Sequence, residues 1–64
     1  MLLKLIKINR TCVVFENDKG EKVRFNLTED YIRNQFREGI DTFWDVTKDG
    51  RYAYFEKSKY NSFN

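Results

Sequence analysis

Between Gly20 and Gly39 the apolar residues change their spacing from every second position to every third or fourth, and a short chain has few ways to use that change. Val23, Phe25 and Leu27 alternate with Lys22, Arg24 and Asn26, as in a half-buried strand, and Ile32 and Phe36 then fall four apart, as on a helix. Thr28 is a good N-cap, Glu29 and Asp30 place negative charge in the first turn, and Leu27 with Ile32 stands at the positions of a hydrophobic staple. Gly39 stands where a left-handed residue would end the helix, which predicts a helix over about 29–38, roughly 15 Å long. A helix of that length is not stable alone. It must lay Ile32, Phe36 and Tyr31 on a sheet built from the segments around it.

On the N-terminal side, Leu2 to Ile8 and Thr11 to Glu16 read as two strands. A two-residue turn at Asn9-Arg10 would set Ile8 against Thr11, Ile6 against Val13 and Leu5 against Val14. For the next turn, a three-residue loop of Asp18, Lys19 and Gly20 sets Glu16 against Lys22, Phe15 against Val23 and Val13 against Phe25. A two-residue loop would put the apolar faces of the two strands on opposite sides, so the longer loop is expected. The core face is then Ile6, Ile8, Val13, Phe15, Val23, Phe25 and Leu27. The other carries Lys7, Cys12, Glu16, Lys22, Arg24 and Asn26, with Leu3, Leu5 and Val14 as an apolar interruption covered by the helix, a bend in the sheet or another subunit.

On the C-terminal side, Thr42 to Thr47 and Arg51 to Lys57 read as a hairpin around Lys48, Asp49 and Gly50. The same three-residue loop puts Trp44, Val46, Tyr52 and Tyr54 on one side and Phe43, Asp45, Ala53 and Phe55 on the other. An unpaired carboxylate is costly to bury, so the Trp44 side is expected inside, with Phe43 and Phe55 partly exposed. From residue 58 the pattern fails. Residues 58–64 form a tail that either frays or folds Tyr60 and Phe63 back over the exposed rings.

The 64 residues, with 41% hydrophobic and 17% aromatic content, suffice for one packed domain over 1–57. The order is β-β-β-α-β-β, mainly β, and predicts a small five-stranded antiparallel barrel with one short helix between strands 3 and 4. That order resembles the OB-fold at the level of topology, with an SH3-like barrel as its near neighbour. No family motif accompanies the resemblance.

Catalysis finds little support in these residues. There is no His, and Cys12 lies mid-strand among apolar neighbours, where a cysteine serves as a small buried hydrophobe. Asp41 and Asp45 are four apart but lack the cleft a carboxylate pair would need. Gly20, Gly39 and Gly50 are each explained by a turn or a helix end, so no phosphate loop is expected, and neither zinc nor calcium spacing occurs. The expectation is a non-enzymatic protein with no cofactor and no bound metal. Arg33 pairs with Glu29 on a solvated helix face.

What remains is a pattern of cations and rings. Net charge is +3 over residues 1–28, −3 over 29–50 and +2 over 51–64, so a sheet that brings its basic ends together would have one cationic face. Lys7, Lys22, Arg24 and Arg51 are the candidate phosphate contacts, and Phe43 and Phe55 the candidate stacking rings, for single-stranded RNA or DNA. The alternative reads Leu3, Leu5, Val14, Phe43 and Phe55 as a contact patch for a protein partner, or for a weak homodimer formed along the first strand, in place of a monomer. No run approaches a membrane span, no leader is recognisable in Met1 to Ile8, and one unpaired cysteine fits a reducing compartment. A cytoplasmic protein is the expectation.

Overall fold

A computed structural model of the chain describes residues 1–59. Its elements are β1 (Leu2–Ile8), β2 (Cys12–Glu16), β3 (Lys22–Asn26), α1 (Glu29–Gln35), β4 (Thr42–Asp49) and β5 (Tyr52–Lys57). The five strands form one antiparallel sheet in the order β3-β2-β1-β4-β5, so the fold is mainly β with a single short helix between β3 and β4. The hydrogen-bonded order ends at β3 and β5, with no ladder joining them. The sheet is nevertheless curled enough for Phe25 of β3 and Phe55 of β5 to meet edge to face at 5.2 Å between ring centroids.

The β2–β3 register is the one expected from the three-residue loop: Val13 faces Phe25, Phe15 faces Val23 and Glu16 faces Lys22. The β1–β2 register is not. Leu5 pairs with Phe15 and Ile8 with Val13, with a bulge between Leu5 and Lys7, and the turn is correspondingly longer than two residues. The cause lies in β1 itself. Strict alternation could bury Leu3 and Leu5 only together with Lys7, or Ile6 and Ile8 only together with Lys4. One extra residue at Ile6 turns the strand over, so Leu3, Leu5 and Ile8 reach the core while Lys7 stays exposed. Leu3 and Leu5, expected as an apolar interruption of the outer face, are buried at 2% and 0% exposure.

The helix begins as expected, with the Thr28 hydroxyl accepting from the Tyr31 amide at 3.2 Å. It ends three residues early, because Phe36 leaves helical geometry at φ −107 and ψ 43 and turns its ring into the core. That ring lies 4.8 Å from Trp44 and 6.0 Å from Phe15. The chain then reverses through Gly39 and Asp41, both with positive φ, and Asp41 donates its amide to the Leu5 carbonyl at 2.7 Å. Trp44 and Val46 are buried and Asp45 is exposed, as expected from the cost of burying a carboxylate. The Trp44 indole N–H donates to the Thr42 hydroxyl at 2.8 Å, which donates to the Gly39 carbonyl at 3.0 Å, so the buried polar groups satisfy one another.

The β4–β5 hairpin differs from expectation. Asp49 pairs with Tyr52 and Val46 with Phe55, so the loop is Gly50-Arg51 and the sides of β5 are exchanged. Phe55 enters the core and stacks on Phe15 at 5.6 Å, while Tyr52 and Tyr54 are 71% and 58% exposed. The physical reason is the choice between a phenyl ring and two phenols, since buried tyrosine hydroxyls need partners and Phe55 needs none. Ser58 extends the hairpin by donating its amide to Phe43. Tyr60 and Phe63 lie outside the described residues.

Candidate nucleic-acid interface

The helix covers one side of the sheet and leaves the other open over β1, β2 and β3. The β1 bulge and the β2–β3 register set Arg24, Val14 and Lys7 in one cross-strand row, with Lys22, Glu16 and Lys4 in the next row on the same side. Lys7 and Arg24 are two strands apart, about 10 Å between Cα atoms. Both are exposed, and neither forms an ion pair among the described residues. Lys22 lies 3.9 Å from Glu16, and Lys4 lies 3.7 Å from Asp41. Such exposed pairs are weak and can exchange partners, so all four cations remain usable.

The open side changes character at β4. Asp45 and Glu56 stand directly opposite each other, next to Leu2, and Asp45 accepts from the Met1 amino nitrogen at 2.8 Å. In the ladder order β4 separates the basic first and last segments, which adjoin only across the unpaired gap between β3 and β5, and the acidic middle segment supplies part of the open side through Asp45 and Asp49. The expectation of adjoining basic ends on one wholly cationic face is overturned by the sheet order.

Of the sequence candidates, Lys7, Lys22 and Arg24 therefore come together. Phe43 is half-buried on β4, opposite Lys4 at the boundary of the cationic area. Arg51 lies outside that row of cations, in the turn between β4 and β5, across the gap from the end of β3. Phe55 is corrected out of the site, because a ring 8% exposed and packed on Phe15, Phe25 and Phe36 has no face left for a base. The apolar contact patch loses Leu3, Leu5 and Phe55 in the same way, and self-association through the first strand loses its edge, since β1 is paired on both sides.

Sequence reasoning missed Lys4, whose side depends on the bulge, and the exposed tyrosines of β5, whose side depends on the hairpin loop. It also missed a cleft of ≈ 740 Å³ where β3 and β5 fail to pair, lined by Thr11, Asn26, Leu27, Thr28, Tyr31, Arg51, Tyr52 and Ala53. The preference for burying phenylalanine over tyrosine was the one signal that could have found it.

Among the described residues, no group of three or more His, Cys, Asp or Glu side chains is gathered as a metal site, and no helix is long and apolar enough to cross a membrane. Cys12 is buried, its sulfur accepting from the Asn9 side-chain carboxamide nitrogen at 3.3 Å. No protein-family model, curated protein or solved structure matches the chain.

Proposed function

We propose that this is a non-enzymatic, cytoplasmic protein that binds single-stranded nucleic acid on the open side of β1, β2 and β3. Lys7, Lys22 and Arg24 meet the phosphates, with Lys4 as a fourth contact. The observation that carries the reading is the row in which Lys7 and Arg24, both without an ion-pair partner among the described residues, flank Val14 on an exposed sheet surface. Rows of cations separated by an apolar residue suit a strand that lies across the sheet, with sugars and bases over Val14 and phosphates at either side. A protein-partner reading is less well supported, because most of the apolar patch it needed is core.

The test is the anisotropy of a labelled mixed-sequence octamer. Four phosphate contacts on a single strand predict a salt slope of about −2.8, hence an affinity about fiftyfold weaker at ~200 mM than at ~50 mM salt. Lys7→Glu with Arg24→Glu is expected to abolish binding while amide NMR dispersion persists, both side chains being exposed. Unchanged affinity in a folded double variant would overturn the proposal.

A further inference from the structure

We propose that the cleft between β3 and β5 receives one unstacked base of the bound strand, with Tyr52 and Tyr31 as ring platforms and Arg51 holding the adjoining phosphate. This rests on the reading of the open side as a nucleic-acid surface. The cleft, of ≈ 740 Å³, is a wide groove open to solvent rather than an enclosed cavity. Its chemistry is selective, since it combines one cation and two phenol rings with no carboxylate. Three other clefts in the molecule each include at least one acidic side chain.

Several further observations converge on a base. Asn26 belongs to the same side of β3 as Lys22 and Arg24, the next position along the strand, so the cationic surface leads directly to the cleft. Its exposed amide has no partner among the described residues and offers both a donor and an acceptor to a base edge. Tyr52 is 71% exposed on an edge strand, where a large ring contributes little to the core, and Arg51 beside it forms no ion pair among the described residues. Leu27 and Ala53 supply apolar surface. An aromatic heterocycle bearing a phosphate uses each of these groups, whereas a peptide strand added to the β3 edge would leave the two rings and Arg51 unused.

The experiment compares two labelled octamers of equal charge, one with bases and one with an abasic sugar-phosphate at every position. The full chain is expected to bind the base-bearing octamer roughly 5- to 150-fold tighter, the worth of one stacked base. Tyr52→Ala should lower the ratio of the two affinities at least about fivefold, the share of one stacked base, and Tyr52→Phe, which keeps the ring, should restore it. Equal affinity of the unaltered protein for both octamers, or a ratio untouched by Tyr52→Ala, would overturn the proposal. Failure of the open-side reading registers separately, as an affinity for the abasic octamer that Lys7→Glu with Arg24→Glu leaves unchanged. No binding of either octamer overturns both.

Discussion

Two hairpins in this chain look alike in sequence and fold differently. In β2–β3 the segment Asn17-Asp18-Lys19-Gly20 makes a three-residue loop, with Gly20 last at φ 83. In β4–β5 the segment Thr47-Lys48-Asp49-Gly50 makes a two-residue loop, with Gly50 first at φ 60. The residue three before each glycine accounts for part of the difference. The Asn17 carboxamide oxygen accepts from the Lys19 and Glu21 amides, each at 2.9 Å, and its nitrogen donates to the Glu21 carboxylate at 2.8 Å. Thr47 has no such reach, and it pairs across the ladder with Tyr54 instead. Core composition supplies the rest. A one-residue change of loop length decides whether Phe55 or the tyrosines of β5 face Phe15, and the phenyl ring is the better occupant. A turn motif is therefore read by its bracing side chain and by what its register buries, not by its glycine alone.

Truncating the residue that each register would bury has the largest expected effect. Phe55→Ala is expected to cost about 3–5 kcal/mol, close to the whole stability of a domain this small, and so to collapse the amide NMR dispersion. Tyr54→Ala is expected to stay within about 0.5 kcal/mol in urea unfolding, where a three-residue loop would reverse the two results.

Next come the glycines. A Cβ at Gly20 or Gly50 would meet nothing within 4 Å, so the cost of Gly20→Ala or Gly50→Ala is conformational alone, about 1–2 kcal/mol for either by the same unfolding measurement. Similar values show that the two loops differ in position of the left-handed residue and not in need of one.

Smaller effects are expected at the Asn17 brace. Asn17→Ala removes the acceptor of two loop amides and should cost about 1 kcal/mol, whereas Thr47→Ala should cost less than half of that. Grafting the brace by Thr47→Asn is expected to change stability by no more than ~0.5 kcal/mol and to leave the Asp49–Tyr52 cross-strand NOE in place. Were that NOE replaced by a Thr-position contact to Arg51, the brace would outweigh the burial of Phe55.

The element order, the helix start at Glu29, the β2–β3 register and the burial of Trp44 and Val46 were legible in the sequence, because each follows from a local rule with one good solution. The grouping of Lys22 with Arg24 was legible for the same reason, as period-two neighbours on one strand. The sides of Leu3, Leu5 and Phe55 were not. Two apolar sets compete in β1, Leu3 with Leu5 and Ile6 with Ile8, and local alternation permits only one of them to face inward. In β5, Ala53 with Phe55 and Tyr52 with Tyr54 compete in the same way.

What the chain determined by itself is the number and kind of its elements, since apolar period, capping residues and turn glycines act within a few residues of one another. Which side of β1 and of β5 became core, and where the sheet stayed open, were set by long-range packing. Those choices depend on Phe15, Phe25, Phe36, Trp44 and Phe55 filling one space together, and a bulge or a shortened loop is a small cost beside burying a lysine or leaving that space unfilled.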